Sequence, residues 1–126
     1  MADAAIYMHK FPKFTIVRTG NGHSYLLKDE QSNVIMSGNL WRSLSMCMQE
    51  INEVKKLAGH GGIFLKLKCN DGQHSFLLAN KRKESIGHGA SWWSAGGRDY
   101  AIMTVRREAS AALIENDAGP VADFYK

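Results

Sequence analysis

Apolar and polar positions alternate from Phe14 to Arg18, break at Thr19-Gly20-Asn21-Gly22, and resume as an aromatic and aliphatic run from His23 to Lys28. That pattern predicts a hairpin, because the break holds residues that tolerate positive φ. A second polar break, Asp29 to Asn33, precedes Val34-Ile35-Met36 and predicts a third strand of the meander. The period then changes: Leu44, Met48, Ile51, Val54 and Ala58 fall at helical spacing behind Ser43, which suits a helix N-cap. Lys55 and Lys56 occupy the last turn, where cations suit the dipole, and Gly59 is placed to take the left-handed conformation that ends the helix.

The same order of elements is spelled a second time. Ile63 to Cys69, the Asn70-Asp71-Gly72 turn and Gln73 to Ala79 predict another hairpin, and Ser85 to His88 a short third strand. Ser94 stands as the second N-cap, ahead of an apolar stripe through Ala95, Ile102, Val105 and Ala109. Gly96-Gly97 sits in the first turn of that helix, where the pair lowers helix propensity by ~2 kcal/mol relative to alanines and predicts a loose start.

Shifting the chain by 51 positions lays the two copies over each other without a gap. Between 23–58 and 74–109 eleven pairs are identical, among them His23/His74, Gly38/Gly89, Trp41/Trp92, Ser43/Ser94 and Ile51/Ile102. Chance gives about two at average composition. One βββα unit has too few layers to cover its sheet, whereas two can set both helices on one side of a combined sheet. The expected fold is therefore α+β: two tandem βββα repeats forming one sheet-plus-two-helices domain with pseudo-two-fold symmetry. Repeat one spans 14–58, the linker 59–62, repeat two 63–109 and a C-terminal tail 110–126, all within a single domain 1–126 of about six strands. Ile6 to Phe11 is a candidate edge strand, and 118–126 reads as a mobile tail.

Several of these stretches resemble the YegP-like tandem-repeat family of small bacterial proteins. Ile51-Asn52-Glu53-Val54-Lys55-Lys56-Leu57-Ala58 is similar to that family's helix end, and Ile102 to Ala109 follows it with Arg for Lys. Asp71 to Asn80, followed by Ile86, is similar to its hairpin, while Trp41 and Trp92 stand where the family usually has Tyr. The Asn-Gly turn common before the family's third strand is absent from 29–33 and 80–84. The resemblance implies the fold and a tendency to associate, and it implies no established reaction.

Composition narrows the chemistry. With 126 residues and 44% hydrophobic content the chain suits one core. A net charge of +4 admits an acidic partner without demanding one. Two cysteines, Cys47 and Cys69, at non-equivalent positions suggest neither a disulfide framework nor a thiolate metal site, and a cytoplasmic location fits best. No run is long enough to span a bilayer, so no membrane partner is expected. Five histidines show no His-x-x-x-His spacing, so no metal and no cofactor is expected. The repeated His23 and His74 read as packing residues at the sheet rim. No nucleophile has a recognisable partner, and the protein is not expected to be an enzyme.

The candidate surface comes from what the copies do not share. Lys81-Arg82-Lys83 replaces Glu30-Gln31-Ser32, and Trp93 replaces Arg42 beside the shared tryptophan. Trp93, Lys81, Arg82, Lys83 and Arg98 are the candidate partner-binding residues. The leading expectation is a non-enzymatic protein-interaction module, an adaptor or small inhibitor, binding a protein or a second copy of itself through a sheet edge or the surface around Trp93. The alternative is nucleic-acid binding through the basic turn 81–83 with the helix-two arginines Arg98, Arg106 and Arg107.

Overall fold

The computed structural model describes residues 12–116. Their order is β1 (Lys13–Thr19), β2 (Gly22–Lys28), β3 (Val34–Ser37), α1 (Leu44–Leu57), β4 (Ile63–Lys68), β5 (His74–Ala79), β6 (Ser85–Gly89), α2 (Ala95–Glu108), a 3-10 turn (Ala109–Ala111) and β7 (Leu113–Asn116). The fold is α+β: one seven-stranded sheet in the order β4-β5-β6-β3-β2-β1-β7, with two helices.

Both helices start as their caps require. The Ser43 hydroxyl accepts from the Met46 amide at 3.1 Å, and Ser94 accepts from the Gly97 amide at 3.0 Å. Each helix then buries its stripe, α1 through Cys47, Ile51 and Val54, α2 through Ala101, Ile102 and Val105. The first turn of α2 is formed in spite of Gly96-Gly97. Gly59 does not take the left-handed role at the end of α1; the residue with positive φ is Gly61, at 98°. The Leu57 carbonyl instead receives the His60 and Gly62 amides, which carries the chain into β4.

Register puts both helices on the same side of the sheet. Leu65, Leu77, His88, Ser37, Leu26, Thr15 and Glu115 are successive cross-strand partners and so share one face. Phe14, Tyr25, Leu27, Phe76 and Leu78 therefore share the other, where they join the buried helix residues in one core. A bulge in each half adjusts the alternation: Ile35 lies unpaired between Val34 and Met36, Ile86 between Ser85 and Gly87. The extra residue lets two consecutive side chains turn to one side, and both isoleucines are buried in the same core.

The repeated His and Trp meet through their backbones. His23 and Trp41 exchange two hydrogen bonds at 2.6 and 2.8 Å, and His74 and Trp92 do the same at 2.7 and 2.8 Å. These bridges fasten the lead-in of each helix to the second strand of its hairpin. The indoles pack against the core, with Trp92 stacked on Phe76 at 6.1 Å between ring centroids.

The sheet has one strand more than the pattern predicts. Residues 113–116, placed in the tail by sequence, form β7 parallel to β1, and Lys13 pairs with Glu115 at 3.6 Å. Lys55 ties the approach to this strand to α1 by donating to the Ala112 carbonyl at 2.6 Å. The expectations for Ile6 to Phe11 and for 118–126 lie outside the described residues. No helix of the described residues is long and apolar enough to cross a membrane.

Candidate functional site

The turn that carries the basic triplet is built by one side chain. Asn80 is buried, and its Oδ1 accepts from the Arg82 and Glu84 amides at 3.0 and 2.9 Å. Its Nδ2 donates to Glu53 Oε2 at 3.1 Å and Glu84 Oε1 at 2.9 Å, which anchors the turn to α1. Asp29 builds the corresponding turn the same way, with Oδ1 accepting from the Gln31 and Asn33 amides at 2.9 Å. Lys83 and Ser32 both adopt positive φ, at 66° and 69°. The two turns thus share one backbone and differ in charge, so Lys81, Arg82 and Lys83 are not demanded by the turn's geometry.

Lys81 and Arg82 face α1, the helix of the other half. With Gln49, Asn52, Glu53, Lys56 and Leu57 they line a cavity of about 430 Å³. It runs on through Gln49, Glu53 and Arg82 into a second cavity of about 410 Å³ that reaches Asn39, Trp41, Glu50 and Glu84. Arg82 is held by Glu84, through Nε at 3.1 Å and Nη2 at 3.0 Å. Those contacts and the Asn80 amide hold the exposed Glu84 carboxyl below the usual glutamate range, the Asn80 hydrogen bond contributing most.

A buried polar clamp closes the far end of this groove. Glu50, only 4% exposed, accepts the Asn39 amide at 3.0 Å and the Asn39 side-chain amide at 2.6 Å. Asn39 Nδ2 also donates to the Ser85 carbonyl at 2.8 Å, leaving Oδ1 to accept from His88 Nε2 at 2.9 Å. An amide oxygen only accepts, so this geometry sets the His88 tautomer with its proton on Nε2. Desolvation raises the Glu50 pKa, and the Asn39 hydrogen bonds oppose that only in part. Burial, and then the Glu50 charge, push the neighbouring Cys47 thiol up to about 11, which keeps it a thiol at neutral pH. The Tyr25 hydroxyl, raised in pKa for the same first reason, donates to the Ile86 carbonyl at 2.7 Å. Among the described residues no group of three His, Cys, Asp or Glu is placed to hold a metal.

The structure separates the residues that the sequence grouped. Trp93 is 74% exposed and lines neither cavity of the groove. Arg98, read from sequence as a surface cation, has a side chain only 11% exposed: Nε donates to Asp99 Oδ1 at 3.0 Å and Nη1 reaches the Leu67 carbonyl at 3.5 Å. It lies over Cys47 in the 51-residue register, so its burial repeats that of its counterpart. Arg106 covers the Phe64 ring at 4.7 Å. Asn39, Glu50 and His88 were missed by sequence reasoning. Their signal is the register itself, because the other copy has Ala90, Ala101 and Ser37 at those places.

No family model and no curated protein matches the chain. Two solution structures match its fold. The E. coli protein of unknown function YegP is 18% identical, with a TM-score of 0.79 over 87% of this chain and 96% of that one. A UPF0339 protein from Shewanella oneidensis is 20% identical, with a TM-score of 0.77 over 83% of this chain and 90% of that one. The likeness shows the fold and agrees with the YegP-like resemblance of the sequence motifs.

Proposed function

We propose that the protein is a non-enzymatic interaction module, built by duplication of one βββα unit with approximate two-fold symmetry, and that it pairs with a second copy through β4. The paired His–Trp bridges, the matching Asx-anchored turns and the two serine caps support the duplication. The observation that carries the pairing is the β4 edge. Among the described strands β4 pairs only with β5, and Ile63, Leu65 and Leu67, on the face turned away from α1 and α2, are 40%, 48% and 40% exposed. Its register with β5 runs without a bulge, so its free rim is straight.

Charge selects the occupant and the register. Antiparallel pairing of two copies about Leu65 sets Leu65 on Leu65 and Ile63 on Leu67, an unbroken aliphatic row. The same register sets Lys66 against the partner's Phe64 and Lys68 beyond it, so no two lysines face each other. Lys66 is already paired with Asp99 at 3.2 Å, a carboxylate it shares with Arg98. Six residues per edge fall well short of the roughly 20–30 residues a side of a stable interface, so the dimer is weak. An adaptor or inhibitor role would use the same edge. Nucleic-acid binding has less support, because Arg82, Arg98 and Arg106 are engaged within the protein.

Sedimentation velocity over a wide concentration range tests the pairing. The wild type should shift toward a dimer at high concentration, and Leu65→Lys, which places like charges opposite each other at a half-exposed position, should stay monomeric and folded. A wild type that remains a monomer throughout, or a variant that associates equally well, rejects the reading.

A further inference from the structure

The groove beside α1 lies on the helix-bearing side of the sheet and is independent of β4 pairing. We propose that its 430 Å³ cavity binds a phosphate monoester, with Lys56 and Lys81 as the cations that hold it.

The two halves supply the comparison that isolates this site. Where Gln49, Lys81 and Arg82 line the open cavity, the residues 51 positions away, Tyr100, Glu30 and Gln31, line a crevice of about 20 Å³. One half has kept the crevice closed and acidic at its rim, while the other has opened it and made it basic. The shared turn backbone does not require this change, and Arg82 is paired with Glu84, so it is the cation at 81 that needs a reason outside the fold.

Partner accounting selects the ligand's charge. Glu53, the carboxylate lining this cavity, receives the neutral Asn80 amide and keeps its charge, while Arg82 is engaged by Glu84, so the two lysines leave the lining with one net positive charge. Lys56 and Lys81 are left with no carboxylate partner among the described residues. Two flexible ammonium groups suit a dianionic oxyanion, and the exposed amides of Gln49 and Asn52 add uncharged donors within the same cavity. Arg82 is already spent on Glu84, which leaves the ammonium groups as point charges, and these favour a dianionic phosphate over a singly charged carboxylate by charge alone. A cavity of this volume also falls in the range of ligand-binding clefts.

The ligand's phosphate can belong to a small molecule or to a phosphorylated side chain, and the experiment separates them. Backbone amide NMR shifts would be followed at low salt with inorganic phosphate, a short phosphoserine peptide and the same peptide unphosphorylated. Saturable shifts confined to 49–57 and 80–82 are expected with both phosphate probes; tighter binding of the peptide assigns the side chain as the source, equal binding the small molecule. Lys81→Glu should weaken binding roughly tenfold or more, the effect of reversing one near-surface charge. That variant should fold, because Glu30 already occupies the same turn. Glu30→Lys should create no second site, since the crevice there is closed. Absence of saturable shifts at millimolar phosphate, or shifts that survive Lys81→Glu, overturns the proposal. So does tighter binding of a single-stranded oligonucleotide that depends equally on Lys83 and Arg107, which lie outside the cavity.

Discussion

Gly38 follows β3 and is matched by Gly89 at the end of β6, and the packing around it makes Gly38→Ala a severe test of the core geometry. A Cβ added at Gly38 would run into the Tyr25 ring and Glu50 Oε1. Neither neighbour can give way. Tyr25 is wholly buried, set edge-on to Phe14 at 5.4 Å, and its hydroxyl is committed to the Ile86 carbonyl; Glu50 uses both oxygens on Asn39. Overpacking of this kind costs about 1–3 kcal/mol. Tilting Tyr25 would strand a buried carbonyl for another ~1–3 kcal/mol. Against these stands a gain of about 0.4–1 kcal/mol from the stiffer unfolded chain. The net loss is about 3 kcal/mol, a large part of the ~5–15 kcal/mol that holds such a domain folded. Urea denaturation followed by circular dichroism measures it. Gly89→Ala meets the Phe76 ring instead, which has no hydroxyl to displace, so it should cost less by the hydrogen-bond contribution. A Gly38→Ala variant within about 1 kcal/mol of wild type, or one milder than Gly89→Ala, would refute this reasoning.

Gly96→Ala should act in the opposite direction, because a Cβ there meets nothing within 4 Å and the residue lies in the first turn of α2; a gain of about 0.5–1 kcal/mol in urea denaturation is expected, and any loss would mean that the glycine is needed. Glu50 gives a pH dependence. Its raised pKa means that the folded protein holds this proton more tightly than the unfolded chain, so the contribution is complete below the ordinary value of 4.5 and is lost as pH rises through the raised pKa. The stability of wild type relative to Glu50→Gln should therefore fall as pH rises above about 4.5; a flat or rising difference from paired urea titrations would show that the carboxyl is not desolvated.

Much of the fold was legible because its signals are local. Serine caps, apolar stripes and glycine-containing turns all act within a few residues, and the 51-residue register doubled each of them. β7 was not legible, since a four-residue strand is defined by its pairing with β1 about 100 residues earlier, a contact that no local pattern carries. The left-handed glycine after α1 was placed two residues early because Gly59 and Gly61 offer the same freedom, and only the route into β4 chooses between them. For the site, the sequence found the turn 81–83 and assigned it the wrong neighbours. Trp93 and Arg98 are close to it in the chain, but the sheet order sets β6 beside β3 and brings the turn under α1 instead. Arg98 was misread by charge when its register partner, Cys47, already marked the position as interior.

Features present in both halves are those the fold needs: the His–Trp bridges, the caps, the bulged isoleucines and the close-packed glycines. Features present in one half need separate causes, and two of them bear on the groove beside α1. The Asn39–Glu50–His88 clamp has a structural one, because it joins the loop after β3 to α1 and to β6 and so fastens one half to the other. A buried carboxylate is a costly fastener, tolerable only while each oxygen keeps its donors. The cation at 81 has no such account: its turn is held by Asn80, the turn's backbone is reproduced with Glu30 and Gln31, Arg82 is taken up by Glu84, and Lys81 carries no carboxylate partner among the described residues. Stability therefore explains the clamp and leaves the basic rim of the groove to binding, which is why substitutions at Lys81 should change ligand affinity while leaving the unfolding midpoint where it is.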